Sequence, residues 1–197
     1  MCKNKSHQKR KITNEEIIAQ NNESLIRLVD DFDYNEEFID WVKTITIPFG
    51  HMYILRLIDK HFMNVKRLNF TMLFNEPFMI DGLPVTRNLQ RSVEYLTIQK
   101  SGVPFDTLKV KLSGIFTLFP SLKELSIPCL SLQADEKFED VPEATYLEKL
   151  VITHGIITPA NLITKMPNLR HLILKGKEDS KELDQYLPAK CIVTFSH

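Results

Sequence analysis

Val42-Lys-Thr-Ile45-Thr-Ile47, Val65-Lys-Arg-Leu68-Asn-Phe70, Val93-Glu-Tyr-Leu96-Thr-Ile98, Leu122-Lys-Glu-Leu125-Ser-Ile127, Leu147-Glu-Lys-Leu150-Val-Ile152 and Leu169-Arg-His-Leu172-Ile-Leu174 write one pattern six times: apolar-x-x-apolar-x-apolar. Their first anchors stand 23, 28, 29, 25 and 22 residues apart, within the period of about 20 to 29 residues used by one class of stacked repeats. Each copy is too short to bury its own apolar side. It is stable only where neighbours cover it, so a chain of such copies must stack into one continuous core. The expected fold is an α/β, right-handed solenoid, with a short parallel sheet on the concave side and helices or loops on the convex side.

The stretches between these segments supply the return paths. Pro48 and Gly50 turn the chain, after which Met52, Ile54, Leu55, Leu57, Ile58 and Phe62 mark a largely buried helix, with His51 and His61 at its ends. Pro77, Gly82 and Pro84 break the second unit into a loop and short pieces. Thr107 to Phe119 reads as the third return helix, stopped by Pro120. In the fourth unit Asp135, Glu136, Glu139, Asp140 and Glu143 face Lys137 alone. They lack the glycine and the ligand spacing of a calcium loop and read as a solvated surface loop. Thr158 is the expected N-cap of the fifth helix, with Pro159 at its first position and Pro167 as its stop. Ser180 to Leu187 reads as one more helix, and Cys191 to Phe195 as a final strand.

Open ends of a stack need covers. Thr13-Asn-Glu-Glu16 has the form of a capping box, and Ile18, Leu25, Leu28, Val29 and Phe32 fall near one helical face behind it. The expected organisation is therefore a disordered basic tail over 1–12 and a single domain over 13–197. Within that domain, 13–41 is an N-terminal helical cap, 42–175 holds six repeats and 176–197 is the C-terminal cap.

Composition adds limits. With 197 residues, 43% of them hydrophobic, the chain is long enough to bury one sizeable core. Its 25 basic and 25 acidic residues cancel, but unevenly: Lys3, Lys5, Lys9, Arg10 and Lys11 open the chain, and residues 12–40 then carry nine acids against Arg27. The basic start is either a solvated terminus or a nuclear localisation signal. No apolar run suited to a secretory signal follows it, and no stretch approaches the roughly 20 apolar residues of a membrane span. Cys2, Cys129 and Cys191 form neither a C-x-x-C pair nor a zinc spacing. Reduced thiols in a cytoplasmic or nuclear protein are expected.

The run from Leu147 to Leu174, with a second trace in Phe119-Pro-Ser-Leu-Lys-Glu-Leu125, resembles the repeats of F-box/leucine-rich-repeat proteins. The resemblance extends over roughly residues 42–175. It implies a leucine-rich-repeat-like fold and a repeat surface that recruits a substrate protein. It also implies, through an F-box, a link to a ubiquitin ligase by way of a Skp-type adaptor. Residues 1–41 contain no proline and no Leu-Pro opening, so no F-box is read there. Eight residues after each first anchor stand Gly50, Leu73, Ser101, Leu130, Gly155 and Lys177. No asparagine ladder runs through the stack, and irregular turns follow.

In stacked strands about 4.8 Å apart the x positions form columns. The first is Lys43, Lys66, Glu94, Lys123, Glu148 and Arg170; the second is Thr44, Arg67, Tyr95, Glu124, Lys149 and His171; the third is Thr46, Asn69, Thr97, Ser126, Val151 and Ile173. Glu94, Lys123 and Glu148, and likewise Glu124 and Lys149, are placed to neutralise one another across strands. Lys66, Arg67 and Tyr95 at one end, and Arg170, His171, Val151 and Ile173 at the other, are left for a partner, Arg and Tyr being enriched at interface hot spots. The candidate contact residues are Lys66, Arg67, Tyr95, Glu124, Lys149, Arg170 and His171.

No phosphate loop, nucleophile elbow or H-E-x-x-H motif is present. His154 and His171 lie in adjacent repeats, but Cys129 would have to leave the core to join them. The chain is read as non-catalytic, without cofactor, metal or small-molecule substrate. Its expected partner is another protein, met through the concave sheet face. The alternatives are a structural subunit of a larger assembly, or nucleic-acid association through the basic N-terminus and the Lys66/Arg67 patch, against which the neutral overall charge argues.

Overall fold

The computed structural model describes residues 16–18, 42–47, 52–73, 87–101, 111–132, 134–176 and 181–196. Eight strands lie side by side in chain order: β1 (Glu16–Ile18), β2 (Thr44–Ile47), β3 (Arg67–Leu73), β4 (Tyr95–Ser101), β5 (Glu124–Ser131), β6 (Lys149–Thr158), β7 (His171–Lys175) and β8 (Ile192–Ser196). Every neighbouring pair is parallel. The order runs outward from β1 to β8 without closing, giving an open parallel sheet in an α/β fold.

The repeated pattern sets the register. The middle anchors Ile45, Leu68, Leu96, Leu125, Leu150 and Leu172 pair in one row, which Ile17 and Val193 extend at the two ends. All three anchors in each of the six segments are at most 1% exposed. A ladder of carbonyls ties the copies together just before each strand. The Lys43 carbonyl accepts from the Lys66 and Arg67 amides at 2.8 and 2.9 Å, and Lys66, Glu94, Lys123 and Glu148 each repeat the arrangement one strand further on.

The described helical pieces pack against one face. They are α1 (Met52–His61), α2 (Arg87–Ser92), α3 (Leu112–Leu118) and α4 (Lys181–Asp184), with 3-10 turns at Phe138–Asp140 and Ala160–Lys165. Ile58, Phe62, Leu89, Ile115, Phe116, Leu162, Ile163 and Leu183 join the strand anchors in a single buried cluster, so the molecule has two layers around one core.

Short helices leave amides unpaired at their starts, and here a neighbouring repeat satisfies them. The Asp59 carboxylate of α1 accepts from the Asn88 and Leu89 amides at 2.9 and 2.8 Å, at the start of α2. The Glu136 carboxylate accepts from the Ser113 amide at 2.7 Å and the Ser113 hydroxyl at 2.6 Å, at the start of α3. A carboxylate at a helix start also meets the positive end of its dipole.

Several expectations are corrected. Glu16–Ile18 is a strand paired with Thr44–Thr46, so no cap helix begins at Thr13 and runs through Ile18; the rest of 13–41, like the 1–12 tail, lies outside the described residues. Two β-branched residues, of which Ile17 continues the Ile45 row, outweigh the capping-box pattern. The third return helix starts at Leu112, because Lys111 just before it is extended (φ −75°, ψ 120°). Thr158 is the last residue of β6 and Pro159 the cap of the turn that follows. Glu136 is buried rather than solvated.

At the eighth position, which carries no asparagine ladder, Leu73, Ser101, Leu130 and Gly155 belong to strands, Leu73 and Ser101 as their last residues. Among the described residues a bulge comes at Pro128, which has no amide to give to a ladder. There the register shifts, so that Thr153, His154 and Gly155 stand opposite Pro128, with Gly155 at φ 63°. Pro48, Gly50, His51, Pro77, Gly82 and Pro84 lie outside the described residues.

Candidate functional site

Strands alternate their side chains between two faces. With the anchors committed to the core, the x positions must come out on the face that no described helix covers. The register forms the expected columns. Thr44, Arg67, Tyr95, Glu124, Lys149 and His171 share one row, which ends at Ile192, and Thr46, Asn69, Thr97, Ser126, Val151 and Ile173 share another, which ends at Thr194. The carbonyl ladder aligns Lys43, Lys66, Glu94, Lys123, Glu148 and Arg170 beside them.

At the centre of the charged part stands Glu94. Its two carboxylate oxygens take Lys66 Nζ at 2.8 Å and Lys123 Nζ at 2.7 Å. The Lys123 bond first, and the Lys66 bond second, hold the Glu94 carboxyl below its ordinary range. Glu94 in turn pushes the Lys123 ammonium above its own. The Arg67 guanidinium sits 4.4 Å over the Tyr95 ring, a cation–π contact that positions the charge without neutralising it. Asn69 Nδ2 donates to Thr46 Oγ1 at 3.1 Å, and Lys149 Nζ donates to Glu124 at 3.1 Å.

The seven candidate contact residues therefore fall into three groups. Lys66 pairs with Glu94 while Arg67 and Tyr95 stack on each other in the next column; Glu124 and Lys149 pair with each other; Arg170 and His171 lie exposed at the far end. One expectation changes. Lys66 is not left for a partner, because Glu94 reaches both ways along its column, while the Glu148 and Arg170 side chains make no ion pair among the described residues.

The structure adds three residues to this face. Ile192, 59% exposed, stands beside His171, a place that can be read only once the β8 register is known. Cys129 was expected in the core. The bulge turns it instead to the open side, partly buried and opposite Ile156, while Leu130 and Ile157 take the core positions. His171 is in register with Lys149, five residues before His154, which places the two imidazoles' strand positions about 16 Å apart. Among the described residues no group of three or more His, Cys, Asp or Glu side chains is placed to hold a metal ion, and no helix is long and apolar enough to cross a membrane.

What the arrangement offers is a broad polar surface with fixed charges and an apolar corner formed by Ile173 and Ile192, with Val151 buried beneath it. Comparison of the chain with protein-family models, with curated proteins and with solved structures gives no match.

Proposed function

We propose that this chain is a leucine-rich-repeat-like solenoid that works as a non-catalytic protein-recognition module, an adaptor or substrate-recruiting subunit of the cytoplasm or nucleus. One observation carries the reading: a parallel sheet whose six middle strands present three continuous columns of side chains on a face that no described element covers. A surface of this kind gives a partner many positions to read while the anchors beneath maintain the fold, which is how repeat proteins divide stability from binding.

The reading is tested by placing a photo-reactive phenylalanine at Thr97, in the middle of the open face, or at Glu139, an exposed residue of the 3-10 turn. Protein adducts formed from position 97 and not from 139 are the expected result. Equal labelling from both positions, or none from 97, removes the open face from the proposal. A Skp-type adaptor recovered with the chain would tie it to a ubiquitin ligase.

A further inference from the structure

The open face is not neutral. In the columns of β2 to β7, Lys43, Lys66, Arg67, Lys123, Lys149 and Arg170 stand against Glu94, Glu124 and Glu148, six cations to three carboxylates, while Lys175 of β7 adds a cation and the Glu16 position of β1 opens the row of Thr44 and Arg67. Two of those carboxylates are already engaged by lysines. Arg67 and Arg170 are left with no carboxylate on them among the described residues. Arg67 is fixed over a ring, and Arg170 is exposed beside the corner made by Ile173 and Ile192.

Resting on the recognition reading above, we propose that the partner presents an extended acidic segment that lies across the strands. One of its carboxylates meets Arg67, another meets Arg170, and an apolar side chain beside them settles on Ile173 and Ile192. The spacing suits it. Arg67 on β3 and Arg170 at the start of β7 are four strands apart, about 19 Å at 4.8 Å per strand, which about six extended residues span. Guanidinium groups take carboxylates in paired hydrogen bonds, so two arginines at a set spacing, one of them held over a ring, set a register as well as a charge preference. A strand of nucleic acid suits the face less, because it would lay phosphates against three carboxylates and an apolar corner. Glu148, between Lys123 and Arg170 in its column, opposes an acidic guest and gives the idea a sign that no general stickiness would reproduce.

The probe is a fluorescent peptide of about seven residues alternating glutamate and leucine, followed by anisotropy. Its glutamine–leucine and lysine–leucine counterparts and a short single-stranded RNA serve as comparisons. The glutamate peptide should bind about a hundredfold more tightly than the glutamine one, and Arg67→Glu or Arg170→Glu should each remove about tenfold of that, the size of one charge-assisted contact. Glu148→Gln should tighten binding. All variants should melt within a few degrees of the parent, which separates lost binding from lost folding. The proposal is overturned if the glutamate peptide does not saturate, if the glutamine or lysine peptide binds as well, or if the RNA binds more tightly. Sedimentation showing self-association that Arg170→Glu abolishes would give the face to a second copy and overturn it too. Should any of these occur while position 97 still labels a protein, recognition by the face stands and only its acidic preference fails.

Discussion

Two carboxylates, Glu136 and Glu94, perform different work on opposite sides of the sheet. Glu136 is buried, and one oxygen of it holds the Ser113 amide and hydroxyl at the start of α3. Glu94 lies on the open face, shared by two exposed lysines. The first replaces water that the core has excluded, so its loss leaves a donor without a partner. The second can exchange its lysines for solvent at little cost. The contrast teaches that this fold keeps its structural charges under the helices and spends its visible ion pairs on a surface that can be rearranged.

The strongest way to break the comparison is to place a charge beneath both faces. Leu150 is fully buried between Leu125 and Leu172. Leu150→Asp should cost about 4 kcal/mol or more, since the carboxylate would have no partner in the core, and leave the chain unfolded by far-UV circular dichroism at 25 °C. A cooperative melting transition in that variant would mean that the strands do not share one core.

Glu136 comes next. Glu136→Ala should lower stability by about 2 kcal/mol in urea unfolding, the scale of a lost hydrogen bond to a charged group, and Glu136→Gln, which keeps an acceptor, by clearly less. If both variants match the parent, the carboxylate is not holding α3.

Glu94→Gln should cost under about 1 kcal/mol, as exposed ion pairs do, and its effect should depend on pH. The folded-state pKa lies below the ordinary 4.5, so the contribution is complete above pH 4.5 and fades as pH falls below it toward the folded value. Parent and variant should therefore differ in urea midpoint at pH 7 and converge well below pH 4.5. A gap that widened on acidification would reverse the assignment.

How much of this was legible in the chain follows from where the partners sit. The six anchored segments could be read because their information is local and each residue's fate depends on its place in a hexapeptide. β1 was missed because Asn14 occupies the first anchor position and Glu16 imitates a capping box; only Ile17 continues the row. The columns of the open face were legible as positions but not as pairings, since Glu94 had two lysines within reach and chose both. The caps by Asp59 and Glu136 were not legible at all. Their acceptors stand 29 and 23 residues from the amides they hold, and nothing local marks them. Cys129 was misplaced because its face depends on a bulge that Pro128 imposes on the pairing with another strand.

The smallest expected effect is also the most discriminating. Arg170 has no ion pair among the described residues and lies exposed, so Arg170→Ala should change stability by no more than about 0.5 kcal/mol. Arg67→Ala, which gives up the contact with Tyr95, should cost slightly more, about 0.5 to 1 kcal/mol. The order matters more than the sizes. A residue kept for a partner is silent in the isolated protein, and a residue kept for the fold is not. If Arg170→Ala proves the more damaging of the two in urea unfolding, then Arg170 belongs to the architecture, and the uncommitted positive charge at that end of the sheet has to be sought elsewhere.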